Sequence, residues 1–76
     1  MDDDTYDFAP GDYVVWKWGA GIAHGEVIDV SPERTEIVSK GKHIVRNGTP
    51  VNPAVIIKHK NGNQVLKLAS ELSKTR

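Results

Sequence analysis

The segment Gly11–Val30, GDYVVWKWGAGIAHGEVIDV, carries the strongest structural signal in the chain. Tyr13–Trp18 consists almost entirely of β-branched and aromatic residues, which fit a pleated, half-buried strand better than a helix. Glu26–Val30 resumes this pattern after a stretch with glycines at positions 19, 21 and 25, where the backbone needs positive φ or close approach to a neighbour. The segment therefore predicts two strands joined by a glycine-rich turn.

Working outward, the remaining chain contains several short β-prone segments separated by turn residues. These segments are Thr35–Val38, His43–Arg46, Ala54–His59 and Gln64–Leu68. The sequence Lys60-Asn61-Gly62-Asn63 predicts a hairpin with a type I′ turn, because Asn-Gly tolerates two successive positive φ angles. Ala69–Leu72 predicts one helical turn. The pattern predicts an all-β fold: a small, strongly bent barrel of about five antiparallel strands with a short C-terminal helical turn.

Strand alternation predicts which side chains form the core. The predicted core comprises Val14, Trp16, Val27, Val30, Ile37, Ile57, Leu66 and Leu72. The placement of Val55 and Leu68 stays open, because a β-bulge shifts the inward parity of a strand by one residue.

A chain of 76 residues accommodates one domain. We expect an acidic N-terminal tail over residues 1–9, the barrel over residues 10–72 and a loose basic tail over residues 73–76. Either Tyr6 or Phe8 is expected to pack against one end of the core.

Composition limits the classes of function. Ten basic residues balance ten acidic ones, so the chain lacks the overall field of a strong non-specific nucleic-acid binder, although a local patch is compatible with this balance. The chain contains no cysteine, which excludes disulfides, thiolate zinc sites and thiol catalysis. The three histidines lack metal-ligand spacing, and no nucleotide-binding glycine motif is present. We therefore predict no enzymatic activity, no metal and no cofactor.

The chain has no apolar run long enough to span a bilayer, and its first residues are acidic where a signal peptide requires basic and apolar ones. These features predict a cytoplasmic protein without a membrane partner. They do not indicate an oligomeric state.

An ordered series of short motifs resembles the hypervirulence-associated Tudor-like family of small bacterial and fungal proteins. The series is Gly11-Asp12-x-Val14-x-Trp16, Gly21-x-Ala23-x-Gly25-x-Val27, Arg46-x-Gly48-Thr49, Asn52-Pro53-Ala54, Gly62, Val65-Leu66-Lys67 and Glu71-Leu72. It covers Pro10 to Leu72. The resemblance implies a Tudor-like or SH3-like barrel of about five strands, and it leaves the biochemical activity undefined.

Tudor domains bind methylated lysine or arginine in a cage of aromatic rings. In this chain a cage would be built from Tyr13, Trp18 and an N-terminal ring. All five aromatic residues lie within the first eighteen positions, whereas a cage usually draws on several strands. We therefore favour packing roles for most of these rings and single out Trp18, beside the Gly19–Gly21 turn, as the ring available for stacking.

Two further hypotheses concern the partner. Basic residues at positions 40, 42, 43 and 46, and at 58, 59 and 60, predict a nucleic-acid surface with Trp18 as a stacking platform, and Lys67 is expected beside the second group. A protein or peptide partner held through Tyr13, Val15 and Trp18 is the preferred hypothesis, because the charge balance favours neither strongly basic nor strongly acidic partners.

A contiguous apolar patch would support the peptide, and a basic stripe flanking Trp18 would support nucleic acid. The residues predicted to form the binding surface are Tyr13, Trp18, Arg46, Asn52, Pro53, Lys58 and Lys60, of which Asn52 and Pro53 shape a neighbouring loop.

Overall fold

The computed structural model describes residues 7–75, which form seven strands and one 3₁₀ turn. The strands are β1 (Tyr13–Trp18), β2 (Gly21–Ser31), β3 (Arg34–Ser39), β4 (Lys42–Asn47), β5 (Ala54–His59), β6 (Gln64–Leu68) and β7 (Ser73–Lys74), and the 3₁₀ turn spans Ala69–Glu71. The predicted all-β class and C-terminal helical turn are confirmed. No helix within residues 7–75 is long and apolar enough to cross a membrane.

The strands form two antiparallel units. Five of them make one sheet in the order β6-β5-β2-β1-β7, and β3 and β4 form a separate hairpin. Both strands of this hairpin contact β6. The hydrogen-bonded ladder does not close into a barrel, so the space between the hairpin and the large sheet is bridged by side chains.

Strand β5 lies between two apolar clusters, because its side chains alternate between the two faces of the sheet. Val55 and Ile57 join a cluster with Val14, Trp16 and Val27. On the other face, Ala54 and Ile56 pack in a cluster with Ile37 and Leu66, which connects the sheet to the β3–β4 hairpin. Burial of both faces explains why this strand reads as a continuous apolar run.

A β-bulge at Ile28 determines which side chains in the second half of β2 face the core. Val27 pairs with Ile57, the register then shifts, and Asp29 pairs with Ile56. The extra residue returns Val30 to the core side, where it is partly buried against the first cluster. The remaining members of the predicted core are buried. Of the two residues left open, Val55 is fully buried and Leu68 is partly buried against the second cluster.

The hairpin between β5 and β6 is confirmed, but the predicted turn type is wrong. Only Gly62 has positive φ there (+97°), and the amide of Gly62 donates to the His59 carbonyl at 2.8 Å. This is a three-residue loop ending in a left-handed glycine. The Asn61 side chain accepts the Asn63 amide at 3.0 Å, a local bond that asparagine makes without left-handed backbone. Two successive positive φ angles occur instead at Lys40 (53°) and Gly41 (78°).

The C-terminal segment is not a loose tail as far as Lys74. Ser73 and Lys74 pair with Val15 and Val14, and the amide of Thr75 donates to the Tyr13 carbonyl. These backbone bonds give β1 a second partner strand.

Phe8 packs against the first cluster, as predicted for one of the two N-terminal rings. The Lys74 ammonium lies 5.7 Å from the centre of the Phe8 ring. Tyr6, the acidic residues of positions 2–4 and Arg76 lie outside the described residues.

Candidate binding groove

A groove of about 910 Å³ opens where three hairpin turns of the fold lie side by side. Ala20 contributes from the β1–β2 turn, Lys40 from the β3–β4 turn and Asn61 from the β5–β6 turn. The groove lies between the large sheet and the separate hairpin, where the hydrogen-bonded ladder is open. We call it the three-turn groove.

The two tryptophans of β1 have different positions in this groove. Trp16 is 4% exposed, and its ring meets the edge of the His59 ring at a centroid distance of 5.8 Å. Trp18 follows on the same face of β1 but is 71% exposed, because the chain turns back at Gly19, which adopts φ +58°. The groove therefore has a buried indole beneath it and an exposed indole at its side.

Four basic side chains line the three-turn groove: Lys40, Lys42, Arg46 and Lys67. Lys42 and Arg46 share one face of β4 with Ile44, because each of the three lies two positions from the next. No carboxylate from residues 7–75 lines the groove. A neutral chain thus carries a locally cationic surface around an exposed aromatic ring.

Arg46 is restrained more strongly than the lysines. Its Nε lies 3.6 Å from Oε1 of Glu71, and its Nη1 donates to the Val45 carbonyl at 3.2 Å. The same Glu71 oxygen accepts the amide of Leu68 at 2.8 Å, which caps the 3₁₀ turn. None of the three lysines forms an ion pair with a carboxylate of residues 7–75.

A second, smaller concavity of about 450 Å³ lies over another part of the sheet. Tyr13, Lys58 and Lys60 line it together with His24 and Glu26. Glu26 pairs across the strands with Tyr13 on one side and with Lys58 on the other. Its carboxylate places a negative charge between these predicted binding residues, so this concavity is mixed in charge.

The structure thus divides the predicted binding surface. Trp18 and Arg46 line the three-turn groove, whereas Tyr13, Lys58 and Lys60 line the second concavity. Tyr13 and Trp18 stand at opposite ends of β1 and on opposite faces of it, about 17 Å apart along the strand. They therefore cannot line one aromatic cage or form one contiguous apolar patch.

Asn52 and Pro53 line neither concavity and instead hold the 3₁₀ turn. The side-chain nitrogen Nδ2 of Asn52 donates to Ser70 Oγ at 3.1 Å, and Asn52 Oδ1 accepts the backbone amide of Ser70 at 2.9 Å. The carbonyl of Pro53, which is buried, accepts the amide of Ala69 at 2.9 Å. These bonds fix the position of the 3₁₀ turn that carries Glu71.

Lys67 does not lie beside the Lys58–Lys60 group, so the predicted position of this side chain is wrong. Lys67 pairs with Val55, three residues before Lys58, and its side chain lines the three-turn groove instead. Alternation along β4 was a usable signal for grouping Lys42 with Arg46. No local signal joins Lys67 to them, because their proximity depends on how the hairpin packs against β6.

The histidines lie in three separate environments. His24 lines the second concavity, and His43 Nδ1 lies 2.7 Å from Glu36 Oε2. His59 Nδ1 accepts the amide of Asn61 at 3.1 Å. Within the described part of the chain, no group of three or more His, Asp or Glu side chains is placed to hold a metal ion.

A family model described as the TUDOR domain of hypervirulence-associated proteins matches residues 11–72. No curated protein and no solved structure matches the chain significantly.

Proposed function

Because the chain belongs to the family of hypervirulence-associated proteins with a TUDOR domain, which suggests a binding module, we propose that it is non-catalytic and binds single-stranded nucleic acid in the three-turn groove. Unpaired bases would stack on Trp18, and backbone phosphates would contact the basic side chains. Residues 11–72, the matched range, include every residue that lines this groove.

The observation that carries this proposal is the combination of an exposed indole and four cations in one groove. Proteins that bind single strands combine aromatic stacking platforms with a positively charged groove that follows the backbone. Stacking on an aromatic side chain requires a base that is not enclosed in a duplex. The groove therefore favours a single strand over a double helix.

A protein or peptide partner, the hypothesis that the balanced charge of the chain favours, is the second candidate. Trp18 and Ile22 are both strongly exposed, belong to the β1–β2 hairpin and line the three-turn groove. An acidic peptide with one apolar side chain could pack that side chain against Trp18 and Ile22 and pair its carboxylates with the neighbouring lysines. We favour nucleic acid because four cations line the groove together with the exposed Trp18 ring, and no carboxylate of residues 7–75 lines it.

The test is a fluorescence-anisotropy titration at low salt with a labelled, mixed-sequence single-stranded oligonucleotide, repeated with a duplex of the same sequence and with an acidic peptide containing one aromatic residue. We expect the single strand to bind most tightly. Amide shifts in NMR should concentrate around Trp18, Lys42 and Lys67. Preferential binding of the peptide would replace the proposed ligand with the second candidate.

Two double variants test which of the two concavities binds the single strand. Lys40→Gln/Lys42→Gln removes two positive charges from the three-turn groove, and Lys58→Gln/Lys60→Gln removes the same charge from the second concavity. We expect the first pair to weaken binding of the single strand substantially more than the second. The reverse order would assign binding to the surface around Tyr13.

A further inference from the structure

We infer that Glu71 restrains the nucleic-acid affinity of the three-turn groove by holding Arg46, so that its carboxylate acts as a built-in competitor of a ligand phosphate. This inference rests on the proposed function. It assigns to Glu71 a tuning role that is separate from its part in capping the 3₁₀ turn.

The geometry at Glu71 supports this role. Its Oε1 faces the guanidinium of Arg46 at 3.6 Å from Nε. Arg46 lines the groove, whereas Glu71 does not. The carboxylate therefore lies outside the groove and neutralises one of its cations, and it leaves the groove open to a ligand.

Among the groove cations, Arg46 is the one paired with a carboxylate of residues 7–75. A guanidinium can hold two oxygens at once, but its charge then serves both. A phosphate at Arg46 must therefore share the cation with Glu71, and it also experiences repulsion from that carboxylate. A phosphate that contacts Lys40, Lys42 or Lys67 meets no such competition, because no carboxylate of residues 7–75 pairs with these lysines.

The pair is accessible enough to be displaced. The Arg46 and Glu71 side chains are 36% and 39% exposed, so solvent screens their attraction and the pair is weak. A weak pair can yield to a polyanion with several phosphates, and the 3₁₀ turn stays in place because Asn52 and Pro53 hold it independently.

A substitution can remove the charge of Glu71 and keep the hydrogen bond by which it caps the 3₁₀ turn. The Leu68 amide donates to Glu71 Oε1 at 2.8 Å, and a glutamine at this position retains a carbonyl oxygen that accepts the same bond. Glu71→Gln therefore isolates the effect of charge. Glu36→Gln is the matched control, because Glu36 also contacts basic side chains, Arg34 and His43, neither of which lines the groove.

The experiment measures binding of a single-stranded oligonucleotide to full-length protein over a salt series. We expect Glu71→Gln to tighten binding about two- to fivefold at low salt, the range set by an exposed ion pair. The slope of log K against log salt should steepen by about 0.7, which corresponds to one additional phosphate contact. Thermal unfolding should change little.

An Arg46→Gln variant tests whether the effect of Glu71→Gln depends on Arg46. In an Arg46→Gln protein, the additional Glu71→Gln change should give markedly less tightening than in the wild type, because the restrained cation is gone. Equal tightening by Glu36→Gln, or equal tightening in the Arg46→Gln background, would overturn the inference in favour of overall charge. Unchanged or weaker binding by Glu71→Gln would overturn it as well. Failure of the wild-type protein to bind the oligonucleotide would instead refute the proposed function, and the inference with it.

Discussion

The two tryptophans of β1, two positions apart, have the same side chain but differ in burial. Trp16 is 4% exposed and Trp18 is 71% exposed. Trp16→Ala should lower the free energy of unfolding by about 3–5 kcal/mol, because it leaves a large cavity in the first cluster. Trp18→Ala should lower it by less than about 0.5 kcal/mol. Urea denaturation followed by circular dichroism measures both, and similar losses for the two variants would contradict the assigned burial.

Gly25 is required by close packing rather than by a turn. A Cβ atom there would lie 2.8 Å from the Lys58 carbonyl oxygen and 3.2 Å from Trp16 Cη2, with Ile57 Cγ2 closer still. Gly25→Ala should therefore destabilise the protein by about 1–3 kcal/mol through overpacking.

Gly21→Ala is the control for this change, because a Cβ at Gly21 would meet only the Trp18 carbonyl oxygen, at 3.9 Å. Both glycines lie in β2, so the strand context is shared. Thermal unfolding compares the two variants. A loss at Gly25 no larger than at Gly21 would show that the sheet accommodates the methyl group.

At the scale of elements, the loop before β5 holds the 3₁₀ turn through Asn52. Asn52→Ala removes both hydrogen bonds to Ser70 and should cost about 1–3 kcal/mol of stability, since each bond contributes about 1 kcal/mol. Asn52→Asp retains an acceptor for the Ser70 amide and should cost less. Denaturation curves give the difference, and equal losses would mean that the Ser70 amide bond contributes nothing.

The turn between β3 and β4 is the second element that can be tested. Lys40 is the one non-glycine residue in the described chain with positive φ, and left-handed backbone is costly for a lysine but tolerated by asparagine. Lys40→Asn should stabilise the protein by about 0.5–1 kcal/mol. The melting temperature reports the change, and a decrease would show that the lysine side chain makes a compensating contribution. The same variant removes a groove charge, so we expect it to bind a single strand less tightly while folding more stably.

At the scale of the whole molecule, charge is balanced overall and segregated locally. Ten basic and ten acidic residues cancel, yet the three-turn groove holds four cations, one of them held by Glu71. With three lysines available to phosphates, log K for a single strand should fall with log salt at a slope of about −2, so that binding is about 20-fold weaker at roughly 200 mM than at roughly 50 mM salt. An oligonucleotide with an uncharged backbone is the control, and a slope near zero would show that phosphates are not the bound groups.

The sequence alone was sufficient for the all-β class, for β1, β5 and β6 with their bounds, and for most of the core. These features follow from local properties: β-branched and aromatic residues favour strands, and period-two alternation assigns their faces. The resemblance that identified the family also rests on residues in linear order, and the family match over residues 11–72 confirms it.

Other features depended on the tertiary structure. Val30 faces the core because of the bulge at Ile28, and Asn52 binds Ser70 eighteen positions away. Lys67 joins Lys42 and Arg46 because the β3–β4 hairpin packs against β6. Alternation specifies the face on which a side chain lies, but which faces of distant strands meet is decided by the burial of two apolar clusters on either side of β5. The groove is a product of that long-range packing, so the set of side chains that line it follows from the assembled strands and not from the linear sequence.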